Sequence, residues 1–298
     1  MVVKPSPETP VTALALAKLA TEAGFPDGVL NILPTTLGRT RRHSVKLSAS
    51  MSSHNLKKVV LELGGNCPAL IFDDADIEAA LRELVGLKWR HAGQACVTVN
   101  RFLVQSGVYD KFIQRFTEET AKYVVGHGAA EGTTLGPVTK PESVDRAERL
   151  VKDAISRGAR VITGGNRLSP KGGEGGYFFE PTILADMSPE TLVSCEECFA
   201  PISAFYKFET EEEAVKLAND TPMGLASYAF TKNADRIWRL YENLEAGMIG
   251  LNTGNSSAAE SPFGGIKLSG YGKEAGKDVA VNEYMITKTG TMTIDGLV

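Results

Sequence analysis

Apolar positions along the chain follow two periods. The runs VVLEL (59–63) and PALIF (68–72) are short and continuous, which predicts two buried strands. The stretch DIEAALRELVGLKW instead places Ile77, Ala80, Leu81, Leu84 and Val85 on one helical face. Asp73, Asp74 and Asp76 stand at its start, where a helix N-terminus favours negative charge. YDKFIQRFTEETAKYVVG repeats the pattern with Phe112, Ile113, Phe116, Tyr123 and Val124. SVDRAERLVKDAISRG does so with Val144, Ala147, Leu150, Val151 and Ile155, and Gly158 reads as its C-terminal cap. RVITGG, SYAFT and MIGLN read as strands, TEEEAVKLAND and NADRIWRLYENLEAG as helices. This alternation predicts an α/β layered fold with a mainly parallel sheet. GGEGG (172–176) reads as a surface loop. The Thr-rich tail EYMITKTGTMTI alternates like a strand that needs an edge to pair with.

Composition narrows the function classes. The 298 residues are 43% hydrophobic and 23% charged, an ordinary soluble balance. A net charge of −4 without a long run of one sign argues against a nucleic-acid partner. The one basic cluster, GRTRRH (38–43), reads as a solvated loop. VTALALAKLA is too short to span a bilayer and is interrupted by Lys18, so no membrane partner is expected. MVVKPSPETP lacks the apolar core of a secretory signal. Four cysteines form no disulfide framework and fit a reducing compartment, the cytoplasm or the mitochondrion.

Four stretches could carry chemistry. Cys96 lies in RHAGQACVTVN, just past a helix expected to end near His91, with small Gly93 and Ala95 beside it. A nucleophile and an inert core thiol are both open readings. His91 is a candidate base for Cys96, although the local signatures of Cys–His hydrolases are absent. CEEC (195–198) has CxxC spacing, but no histidine pair completes a zinc site, and two glutamates would raise the thiol pKa. No metal is expected. Glu62 sits in an apolar run before Gly64 and Gly65. Burial there would raise its pKa toward that of a neutral-pH base, the alternative being a strand-end glutamate facing water. PFGGIKLSGYGKE (262–274) is Gly-rich but not a phosphate-binding Walker loop.

LELGGN, GQACVT, EECFAP and PFGGIKLSG occur in the order and approximate spacing found in the aldehyde dehydrogenases, and the chain resembles that family over nearly its whole length. KPSPETPVTALALAKLATEAGFPDGVLNIL is similar to the family's cofactor-domain segment. Among subfamilies the sequence looks most like succinate-semialdehyde dehydrogenase. The resemblance implies an aldehyde dehydrogenase-like α/β fold with a complete catalytic domain (66–275), an incomplete Rossmann-type cofactor domain (1–65) and a C-terminal oligomerisation strand (276–298). It implies Cys96 as nucleophile toward an aldehyde and Glu62 as the base for the hydrolytic water, with hydride passing to NAD or NADP. It also implies that the Cys96 amide donates to the oxyanion. Lys4, Gly64, Glu197 and Phe199 match cofactor-binding positions, and Arg90 and Ser257 match the grip on a substrate carboxylate. Pro7 replaces a glutamate common in NAD-preferring members, which implies tolerance of NADP. Homo-oligomers, or hetero-oligomers with full-length relatives, are the implied assemblies.

The sequence departs from the family in two places. Family members extend further at the N-terminus, where the first cofactor-domain strands and an oxyanion-hole asparagine lie. One such donor is worth about 10²–10³ in rate. After VLNILP the family's Phe-Thr-Gly-Ser turn, which seats the pyrophosphate at a helix N-terminus, has no counterpart in TTLGRTRRHSVKLSASMSSHNLKKV. The expectation is a truncated chain with an internal deletion and impaired cofactor binding.

Overall fold

In a computed structural model, which describes residues 1–34, 50, 52–54, 56–170 and 172–294, the run CPALI forms the strand β1 (Cys67–Ile71), every residue buried. A short apolar run without polar alternation is what a strand covered on both faces requires. GRTRRH and most of the expected deletion junction lie outside the described residues. The contacts divide the chain into two compact units, Met1–Val59 and Val60–Val298.

The first unit carries helix α1 (Pro10–Glu22) and a parallel pair of two-residue strands, Val2–Val3 and Asn31–Ile32. Pro10 begins the helix, where its missing N–H is harmless. No residue of α1 is buried, and Val11, Leu14, Leu16 and Leu19 are exposed.

The second unit is built on a seven-stranded sheet. Besides β1 it contains β2 (Val99–Gln105), β3 (Arg160–Thr163), β4 (Thr182–Ala185), β5 (Ile202–Phe208), β6 (Ala226–Phe230) and β7 (Met248–Leu251). The order is β7-β6-β1-β2-β5-β4-β3. Every neighbouring pair is parallel except β3 against β4. The α/β expectation therefore holds. Between β1 and β2 the register shifts: Cys67 faces Val99, but Pro68 faces Arg101, so Asn100 is the extra residue of a bulge. Pro68 brings no N–H to the ladder, which suits an irregular step.

Helices α2 (Ile77–Trp89), α3 (Tyr109–Thr120), α4 (Pro141–Ser156), α5 (Glu211–Asn219) and α6 (Ala234–Asn243) form the connections. Asp76 caps α2, accepting from the Ala79 amide at 3.0 Å. The core joins Trp89, Phe116, Phe102 and Phe205; the Phe102 and Phe205 rings stack at 4.7 Å.

Several expectations need correction. Helix α3 stops at Thr120, because Tyr123 turns back to the Thr120 carbonyl and Val125 bridges to Leu135; Val124 is exposed. Ile155, in the last turn of α4, is also exposed. Only Leu61–Glu62 of VVLEL is a strand, half-buried and antiparallel to Gly270–Tyr271 rather than part of the main sheet. Gly270 is required there: its φ is 149°, and a Cβ would lie 2.0 Å from the Leu61 carbonyl oxygen. In the tail, Asp278–Glu283 is helical and residues 285–294 form no regular element. A strand takes its hydrogen bonds from a neighbouring edge, and residues 286–294 belong to no sheet among the described residues.

Arg101 links the sheet to what lies above it. It is 3% exposed and donates to the Asn66 carbonyl at 3.0 Å and to the Leu217 and Ala218 carbonyls, at the end of α5, at 2.6 and 2.8 Å. Three carbonyls converge on one guanidinium fork, and the two from α5 carry the negative end of its dipole. Arg101→Met is expected to cost about 3–5 kcal/mol. The loss would be read as a lower urea midpoint at unchanged slope. Arg101→Lys should recover little of it.

Candidate active site

Three segments enter the amino ends of adjacent parallel strands: 62–66 leads into β1, 94–98 into β2 and 197–201 into β5. Their side chains therefore meet at one edge of the sheet. The middle segment begins where α2 ends. His91, Ala92 and Gly93 take positive φ values of 52°, 54° and 72° in succession, which no helix tolerates. Gly93 has no substitute, since a Cβ would sit 2.2 Å from the Ala200 carbonyl oxygen. Fully buried Lys88 donates to that same carbonyl and to Asn100 Oδ1, both at 3.2 Å. Gln94 clamps the next residues: its amide nitrogen donates to the His91 carbonyl, and its oxygen accepts from the Thr139 backbone and hydroxyl. The chain then turns, with the Thr98 amide bonded to the Ala95 carbonyl at 3.1 Å, and half-buried Cys96 sits in that turn.

Glu62 is brought to Cys96 from the neighbouring segment. Burial pushes its carboxyl up to about 7; the charges of Glu274 and Glu197 act in the same direction, and a hydrogen bond with the Cys96 thiol opposes them. One carboxylate oxygen, Oε1, is buried without a hydrogen-bond partner. Burial, followed by the Glu62 and Glu197 charges, pushes the Cys96 thiol up to about 11, while the N–H groups of Cys96 and Val97 oppose the rise. Near neutrality the sulfur holds its proton and Glu62 stands between its two forms. That is the condition of a carboxylate able to collect a proton.

Glu197 reaches the same edge. Its carboxylate accepts from the Gly65 amide at 3.0 Å, and a Cβ on Gly64 would lie 2.7 Å from its Oε2. Arg146, on α4, donates to the Glu197 carbonyl. Phe199 has a φ of 48° and lines a cavity of about 470 Å³ with His91, Gln94 and Thr139. Arg90 and Ser257 are both exposed. The Ser257 amide bonds to Asn255 Oδ1, whereas the neighbouring Ser256 hydroxyl meets the buried Tyr228 hydroxyl at 2.9 Å. Lys4 is exposed and belongs to the first unit.

The structure thus gathers Glu62, Gly64, Cys96, Glu197 and Phe199 within one unit. His91 does not form a dyad with Cys96; it is exposed, and the carboxylates acting on the thiol are Glu62 and Glu197. Of the CEEC pair, Cys195 is exposed and Cys198 is buried near Lys88. Lys88, Arg146 and Tyr228 escaped the sequence reading. Lys88 carries a faint signal, a lysine at a buried helical position, but only tertiary packing reveals the other two. Among the described residues no helix is long and apolar enough to cross a membrane.

Known proteins share this arrangement of segments. The chain is 43% identical to the succinate semialdehyde dehydrogenase of Acinetobacter baylyi over 304 residues, which cover 96% of this chain and 62% of that protein. It is 42% identical to the NADP(+) succinate-semialdehyde dehydrogenase 1 of Schizosaccharomyces pombe, over 98% of this chain and 62% of the relative. A betaine aldehyde dehydrogenase of Staphylococcus aureus, solved in complex with NAD+, superposes with a TM-score of 0.88 at 33% identity, over 96% of this chain and 62% of the other. The chain spans about three fifths of the length of these proteins. A model of the aldehyde dehydrogenase family matches residues 1–46 and 41–290. With both stretches matched, the chain belongs to the aldehyde dehydrogenase family.

Proposed function

We propose that this chain carries the chemistry for oxidising an aldehyde to its carboxylic acid with NAD or NADP, and that succinate semialdehyde is the substrate it fits best. The observation that carries this reading is the meeting of half-buried Cys96 and Glu62, with the carboxyl pushed up to about 7. The Cys96 thiol loses its proton to solvent, and the sulfur attacks the aldehyde carbon to give a thiohemiacetal on Cys96. The Cys96 amide, which faces the sulfur, donates to the developing oxyanion. When bound, NAD(P) supplies the acceptor for the hydride whose departure leaves a thioester on Cys96. Glu62 then takes a proton from water as the water's oxygen attacks that thioester. The acid leaves, and the sulfur regains its proton.

The residues at the nicotinamide end fit such a group. Gly64 leaves a flat strip of backbone facing the Glu197 carboxylate, where any side chain would collide. Glu197 would take the ribose hydroxyls, and Phe199 would flank the ring beside its cavity. Lys4 would hold the adenosine ribose. Pro7, three residues on, offers no carboxylate to repel a 2′-phosphate, and on that ground we infer that NADP is accepted alongside NAD. A second reading, ester hydrolysis through Cys96 and Glu62 without any cofactor, is favoured by one fact: both groups belong to the unit Val60–Val298.

All four cysteines are free, as a thiol nucleophile in a reducing compartment requires, in the cytoplasm or the mitochondrion. Ile286, Met292 and Ile294, in the tail, are exposed apolar side chains. We infer that this tail pairs with an edge of a second subunit, either a copy of this chain or a full-length relative. The substrate assignment rests on Arg90, whose guanidinium would fork the distal carboxylate. Arg90→Ala should raise KM for succinate semialdehyde about 10- to 100-fold, the worth of a charge-assisted pair. An uncharged aldehyde of equal length should be unaffected. The release of reduced cofactor measures both, and equal losses on the two aldehydes would remove the assignment.

A further inference from the structure

Tyr228 is fully buried at the centre of β6, between Ala69 of β1 and Gly250 of β7. Gly250 makes room for it, since a Cβ there would lie 2.8 Å from the tyrosine ring. The ring delivers its hydroxyl to the amino end of the sheet. There it lies 2.8 Å from the Val97 carbonyl, one residue past Cys96, and 2.9 Å from Ser256 Oγ. The direction of these bonds is fixed by chemistry. A carbonyl only accepts, so the single tyrosine proton goes to Val97 and Ser256 must donate to the tyrosine oxygen. The Ser256 proton is committed, which leaves exposed Ser257 as the hydroxyl available to a ligand. The other end of the same loop is tied to α2: Glu83 accepts from the Gly254 amide at 2.7 Å and from the Thr253 hydroxyl at 3.2 Å. The Arg90 charge is among those whose fields reach the Tyr228 hydroxyl.

We propose that Tyr228 is a positioning residue that sets the span between the nucleophile turn and the loop holding Ser257, and so selects the length of the carboxylated substrate. This deepens the site reading above and rests on it. A substrate held by its carboxylate at Arg90 and Ser257 must present its carbonyl to Cys96. Only one chain length matches a fixed span. A strap through one hydroxyl fixes that span because both of its bonds end in the segments being spaced.

The test uses thiol probes on the full chain and needs no turnover. In a Cys195→Ser background, which removes the exposed thiol, Cys96 is titrated with N-substituted maleimides bearing a carboxylate on alkyl chains of increasing length. Each acid is compared with its uncharged analogue, and labelling is read by peptide mass. The parent chain should label fastest at one length, and Arg90→Ala should abolish the advantage of the acids over their analogues. Tyr228→Phe should keep that advantage and flatten its dependence on length, with the peak falling about 5- to 30-fold, the value of one to two neutral hydrogen bonds. A purely structural role would lower the melting temperature and leave the length profile in place. A Tyr228→Phe profile with an undiminished peak overturns the proposal and leaves the site reading standing. Acids and analogues labelling alike in the parent chain overturn both. Should Tyr228→Phe fail to fold, Ser256→Ala cuts the same strap from the loop side, and an unchanged profile there is equally fatal.

Discussion

Cys96→Ala is expected to hydrolyse an activated ester such as p-nitrophenyl acetate no faster than solvent, a loss of at least about 10³-fold from the parent chain. The other thiols cannot replace it. Cys67 and Cys198 are buried, and burial pushes the Cys67 thiol up to about 12. Cys195 is exposed, but it is not among the groups that shift the Glu62 carboxyl. The assay is nitrophenolate release, with the acyl group located by peptide mass. Release that survives in Cys96→Ala would place the nucleophile elsewhere and end the mechanism.

Glu62→Gln should separate the two halves of the reaction. Glutamine cannot accept a proton from water, so the acyl group should form on Cys96 and stay there. Turnover should fall about 10²- to 10⁴-fold after a stoichiometric burst. In the parent chain the carboxylate is the working form, so deacylation should rise with pH through about 7 and then level off. Removing the negative charge beside the sulfur should also bring the Cys96 pKa down from about 11. Stability supplies an independent sign. The Glu62 carboxyl is raised from 4.5 to about 7, so across that window the folded chain binds more protons than the unfolded one. The contribution of this group is therefore greatest at low pH and is lost as pH rises through about 7. Glu62→Gln should gain on the parent above neutrality and lose that advantage in acid, in paired urea titrations.

Local pattern carried the sheet well. PALI and SYAF become buried strands because their apolar runs have no polar face to expose, and Ala80, Leu81, Leu84 and Val85 turn inward as their spacing requires. The same logic failed at Val124 and Ile155, which continue an apolar stripe past the point where the core ends. It failed again at VVLEL, whose neighbour is a Gly-rich segment contributed by residues some two hundred positions away. Glu62 and Cys96 were legible as odd residues in their settings, a carboxylate in an apolar run and a thiol among small residues. That they meet could not be read from spacing, because it follows from the pairing of β1 with β2. Tyr228 looked like any aromatic strand residue; its partners come from two other strand-end loops.

That pairing has one irregular step, the extra Asn100 opposite Pro68. A strand advances about 3.3 Å per residue. Were the ladder straightened by one position, the sulfur would slide past its carboxylate by more than a hydrogen bond can stretch. The alignment of the reacting atoms is thus set by a fault in the sheet. Substitutions that perfect the sheet at this point would disarm the pair while leaving the core intact.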